Sequence, residues 1–125
     1  MNTKPVLSRA PPEDWAGEMG ERWLNHLERF EGMIAPVGEA LLDQAAYSPG
    51  ERVIDVGCGA GGTTIEIGRR LGARGSVLGL DLSPALIAAA TRRAAAAKLP
   101  EAATDFVFDA MSFGRLLSIV HACVA

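Results

Sequence analysis

The chain has 125 residues, about the length of one domain, with 49% hydrophobic and 22% charged residues, the balance of a globular protein. A net charge of −3 and the absence of any Lys/Arg run exclude a surface that tracks a phosphate backbone, so no nucleic-acid partner is expected. No stretch approaches the ~20 apolar residues that span a bilayer, Met1 to Ala10 lack the apolar core of a signal peptide, and two cysteines are too few for a disulfide framework, so the expected setting is cytoplasmic and reducing, with no membrane partner.

Residues 1–12 hold Pro5, Pro11 and Pro12 and read as a loose arm. From Asp14 to Phe30, the spacing of Trp15, Met19, Trp23, Leu27 and Phe30 predicts one amphipathic helix with that stripe inward. A second helix is predicted over 36–46, with Val37, Leu41 and Ala45 inward. Ser48-Pro49-Gly50 is a turn. The rhythm then changes. Arg52 to Val56 reads as a buried strand and Gly61 to Leu71 as a helix, with Ile65 and Leu71 inward and Arg69-Arg70 wet. Ser76 to Asp81 is a second strand. Ser83 and Pro84 then cap and open an alanine-rich helix that runs to about Lys98, where Leu99-Pro100 ends it. Thr104 to Asp109 is a third strand. The β-α-β-α-β order predicts a parallel sheet with right-handed crossovers.

The chemistry gathers at the strand ends, where parallel sheets place ligands. Val53 to Gly62 is a β-branched run that ends in Asp55 and enters a glycine turn, and Gly57, Gly59 and Gly61 let a ligand lie against the backbone. Asp81 ends the second strand about twenty residues later, where a carboxylate can accept both hydroxyls of a ribose. Asp109 ends the third strand and could accept an exocyclic amine. The glycine spacing also fits a dinucleotide, so a fragment of an NAD(P)-binding oxidoreductase is the alternative. Asp55 favours a cationic ligand: a carboxylate beside the loop repels a pyrophosphate and attracts a sulfonium and an ammonium. The competing role for Asp55 is to hold loop amides, and for each strand-end aspartate to cap a turn. Cys58 reads as a small filler in the turn, and His26 and His121 lack metal-ligand spacing, so no metal is expected. Thr63 and Thr64 could cap the helix or bond a ligand carboxylate.

Val53 to Gly62, Gly79-Leu80-Asp81 and Phe108-Asp109-Ala110 resemble, in order and spacing, the first three motifs of class I S-adenosylmethionine-dependent methyltransferases. The resemblance covers residues 14–113 and implies a Rossmann-like, doubly wound α/β sheet. It is incomplete here, with three strands in the order 3-2-1 behind two N-terminal helices. It implies S-adenosylmethionine as cofactor and a small-molecule acceptor. Gly57, Gly59 and Gly61 would hold the methionyl part, with Asp55 helping to place it. Asp81 would take the ribose, Leu82 would flank the adenine, and Asp109 and the Ala110 amide would bond it. The resemblance names no general base. The leading helices resemble a lid, although the stripe itself places Trp15 and Trp23 in the core.

This divides one domain into an arm with lid-like helices (1–48), a cofactor-binding half (49–113) and an atypical tail (114–125). The strands are apolar on both sides, yet the half that would cover the second face is missing. Each side chain left bare forgoes about 1.5–3 kcal/mol. The uncovered face is therefore expected to drive self-association or to take a partner chain, and a non-enzymatic docking domain is the other alternative. Gly114 to Ala125 does not resemble the family's next strand; it reads as a truncated or out-of-frame end, or as a short helix over the bare sheet.

Overall fold

A computed structural model describes residues 14–97 and 105–124; the expected N-terminal arm, Lys98 to Pro100 and Thr104 lie outside them. The chain opens with α1 (Glu18–Asn25) and α2 (Leu27–Ala45). Asp14 starts α1, its carbonyl accepting from the Met19 amide at 3.0 Å. The predicted boundary between the two helices is corrected. The break falls at His26 alone (φ −119°, ψ 25°), and α2 runs straight through Pro36. Pro36 is exposed, so its ring and the missing amide hydrogen bond are tolerated on the wet side of the helix.

The inward face of α2 is corrected as well. Leu42 is buried, while Val37 and Leu41 are 71% and 62% exposed and Ala45 is exposed. The inward stripe consists of Leu27, Glu31, Gly38 and Leu42, at steps of four, seven and four residues along one face. A paired Glu and a Gly occupy half of it, so hydrophobicity alone selects the neighbouring stripe. Leu42 joins Ile67, Leu71 and Val77 in one core cluster, with Tyr47 and Val53 packed against it.

Three strands, β1 (Arg52–Val56), β2 (Ser76–Asp81) and β3 (Asp105–Ala110), form a parallel sheet in the order β1-β2-β3, with Val53 opposite Val77 and Leu78 opposite Val107. This is the predicted order. β3 ends one residue later than the pattern suggests. Between the strands run α3 (Gly62–Leu71) and α4 (Pro84–Ala96). The α3 side chains Ile65, Ile67 and Leu71 are buried, and Arg69 and Arg70 stay on the wet side, as expected. Ser83 caps α4, its hydroxyl accepting from the Leu86 amide at 3.2 Å, with Pro84 at the first helical position.

The tail forms α5 (Phe113–Val124). It leaves the sheet face open: Ile54 and Val56, which project opposite Val53, are 42% and 47% exposed, and Leu117 of α5 is 53% exposed. None of the helices among the described residues is long and apolar enough to cross a membrane.

Candidate cofactor site

The chain leaves β1 at Val56 and turns at once. The amides of Gly57 and Cys58 both donate to the Leu80 carbonyl of β2, at 2.7 and 3.0 Å, which holds the loop against the end of the neighbouring strand. Gly57, Gly59 and Gly61 have φ of 73°, 55° and 80°. That left-handed region explains the glycines. Space explains them too: a Cβ on Gly57 or Gly59 would meet no protein atom within 4 Å, so the loop backbone faces open volume. The Gly61 amide closes the turn onto the Cys58 carbonyl at 3.0 Å, and the Gly61 carbonyl starts α3 by accepting from Ile65.

Asp81 is the hub of the site. The residue is 9% exposed; one carboxylate oxygen accepts from the Gly59 amide and the other from the Ser83 amide, each at 2.9 Å. The strand-end acid thus ties the glycine loop to the start of α4. Asp55 lies beneath the loop, accepting from the Thr64 hydroxyl at 2.6 Å. Burial pushes its carboxyl above the ordinary range; the Thr64 bond opposes this, and the charge of Asp81 adds to it. Asp55 thus engages a side-chain hydroxyl, and its bond gives Thr64 a role at the helix start. Cys58 is buried, and burial, followed by the charges of Asp55 and Asp81, pushes its thiol up to about 12. A thiol held protonated is no nucleophile, which agrees with its reading as a filler.

The loop floors an open cleft of about 1090 Å³. Of the loop and strand-end residues singled out in the sequence, Gly57, Cys58, Gly59, Thr63, Asp81 and Leu82 line it, and Asp55 does not. Gly61 is buried where the loop meets α3, and Ala110 is half-buried. Asp109 is exposed at the end of β3, opposite Leu80 in register. The structure therefore gathers the glycine loop and Asp81 into one cleft and leaves Asp109 beside it, one strand over.

Many apolar side chains line the rest of the cleft, with Glu31, Glu39 and Asp43 of α2 among them. Trp15 comes from the turn before α1, Trp23 from α1, Leu27, Ile34, Val37 and Leu41 from α2, and Leu116 from α5. The core placement of the tryptophans is corrected in part: both are half-buried and line the cleft, while Trp23 also packs on a core cluster. α1 lies across α4, so Trp23 packs with Leu24 and Leu27 on Ala60, Leu86 and Ala89. Its ring stacks on Phe30 with centroids 4.4 Å apart, and Trp15 meets it edge-on at 5.9 Å. One side of the stripe is core and the other is wall.

Sequence reasoning missed Glu31 and Arg93. The Arg93 guanidinium donates to both carboxylate oxygens of Glu31, at 2.7 and 2.9 Å, and to the Ala60 carbonyl of the loop at 2.9 Å. No local pattern announces a pair separated by 62 residues. His26 and His121 are exposed.

A methyltransferase-domain family model matches residues 47–120, more than half of the chain. Aklanonic acid methyltransferase DauC of Streptomyces sp. (strain C5) is 37% identical over 61 residues, which cover 49% of this chain and 28% of the relative. Malonyl-[acyl-carrier protein] O-methyltransferase of Serratia marcescens is 36% identical over 85 residues, covering 60% and 32%. The chain thus spans about a third or less of these relatives' lengths. Among solved structures, geranyl diphosphate C-methyltransferase from Streptomyces coelicolor A3(2) superposes with a TM-score of 0.53 at 24% identity, over 87% of this chain and 39% of that one. This likeness shows the shared Rossmann-like fold.

Proposed function

The chain belongs to the methyltransferase-domain family, and from that premise we propose that its cleft takes S-adenosylmethionine and serves methyl transfer to a small-molecule acceptor. When bound, this cofactor supplies an electrophilic methyl group on a sulfonium. The residues present fit it. Gly57, Gly59 and Gly61 offer bare backbone to the methionyl part, while Asp81 has lone pairs left for ribose hydroxyls after its two amide bonds. Leu82 flanks the adenine. Asp109 and the Ala110 amide receive it at the next strand end. Asp55, under the loop, adds negative charge on the side where the cationic end lies.

One observation carries the choice of cofactor: Asp81 accepts from the Gly59 amide at 2.9 Å. A pyrophosphate needs such loop amides for itself, and here one is already given to a carboxylate whose charge would repel it. The NAD(P) reading is therefore disfavoured. The acceptor is read as apolar over part of its surface, because tryptophan and aliphatic side chains line the cleft beside Glu31, Glu39 and Asp43. The names of two relatives, which act on aklanonic acid and a malonylated acyl-carrier protein, show how varied acceptors are and select none. Catalysis asks this chain chiefly to position the two molecules in line and to exclude water.

Titration calorimetry tests the reading. S-adenosylhomocysteine is expected to bind and NAD or NADP is not. Binding of the dinucleotide alone would reject it.

A further inference from the structure

Arg93 lies on α4, 33 residues from the glycine loop in sequence, yet it touches the loop directly through the Ala60 carbonyl. Ala60 sits between Gly59 and Gly61, both in left-handed backbone. The same guanidinium holds Glu31 of α2 with two parallel bonds, the strongest arrangement an arginine makes. Glu31 in turn reaches the first residue of α3: a Cβ built on Gly62 would stand 3.0 Å from its Oε1. The helices α2 and α4, the start of α3 and the glycine loop thus meet at one ion pair, and the loop is the smallest of them.

Both side chains are about one-third exposed, at 36% and 33%. A single pair this open adds little to global stability. Its effect falls on what it touches locally, which is the carbonyl of a loop whose outer surface faces the cleft. We propose that Arg93 and Glu31 are positioning residues: together they tie the leading helices to the glycine loop and hold its backbone in the geometry that receives the cofactor. The cofactor part of this rests on the function proposed above; the tie between helix and loop does not.

The test reads the loop directly. Amide hydrogen exchange by mass spectrometry over 57–63 is compared in the wild type, Arg93→Met, Glu31→Gln and the double variant, with the β2 amides as internal reference. Calorimetry with S-adenosylhomocysteine follows on each. Arg93→Met removes both contacts and is expected to speed loop exchange, and to weaken the ligand, by roughly tenfold. Glu31→Gln leaves the Ala60 contact and is expected to act in the same direction but less. In the Arg93→Met background it should add nothing, because the two residues act as one device. Should Arg93→Met fold poorly, Arg93→Lys keeps the charge without the fork and is expected to show the same localised change.

Loop exchange unchanged in the Arg93 variants would overturn the proposal. So would additive effects of the two substitutions, or acceleration spread evenly over β2. A wild-type chain that fails to bind S-adenosylhomocysteine would sink the proposed function instead, and the exchange pattern would still decide the tie.

Discussion

Gly59 and Asp55 are both part of the site, and they answer to different tests. Gly59 has φ of 55° and an unobstructed Cβ direction. Gly59→Ala therefore carries a conformational cost of about 1 kcal/mol and no clash with the protein. The added methyl group stands where a ligand would lie, so affinity for S-adenosylhomocysteine is expected to fall at least about tenfold, well beyond the loss of stability. Paired calorimetry and thermal melts separate the two effects. Asp55 is an acid whose folded-state pKa is raised, chiefly by burial. Its contribution to stability is thus fully present below the ordinary aspartate value and is lost as pH rises through the raised one. Asp55→Asn retains an acceptor for Thr64 and no charge. It is expected to be more stable than the wild type at neutral pH, with the difference shrinking as pH falls towards about 4. Urea unfolding of both proteins across that range checks the sign.

At the scale of elements, the strands and the glycine turn were legible because each obeys a local rule. Val53 and Ile54 sit in a β-branched run that ends where positive φ demands glycine, and Ser83-Pro84 announces a helix start by chemistry confined to adjacent residues. The leading helices were not legible in the same way. His26 carries no breaking signal, and Pro36 carries a strong one that the helix overrides. The inward face of α2 is hidden from any local pattern, because Glu31 turns inward only when Arg93, far along the chain, is there to meet it. In the same way Trp15 and Trp23 read as core because a cleft wall and a core share one apolar stripe. The Pro36 override has a cost that can be measured. Pro36→Ala restores an amide donor and removes the ring from an exposed helix position. It is expected to raise stability by about 1–3 kcal/mol in denaturant unfolding, with slightly more helix by circular dichroism.

For the whole molecule, the expected association rests on the apolar surface of α2 and β1. Met33, Val37 and Leu41 recur every four residues along α2 and are 67%, 71% and 62% exposed, and Ile54 and Val56 add a bare strand face. So much exposed aliphatic surface on a chain this small favours contact with other apolar surfaces. Concentration-dependent self-association is expected in light scattering. The double substitution Val37→Lys and Leu41→Lys should abolish it while changing stability by no more than about 0.5 kcal/mol, since neither side chain is packed. A monodisperse wild-type monomer at high concentration would contradict this.

Asp81 secures Gly59 and Ser83 using protein atoms alone. The cradle is therefore standing before any guest arrives, and entry needs no refolding of the turn. Among guests that share the adenosyl portion, differences in tightness should then show up as differences in dwell time, while their rates of arrival stay nearly alike.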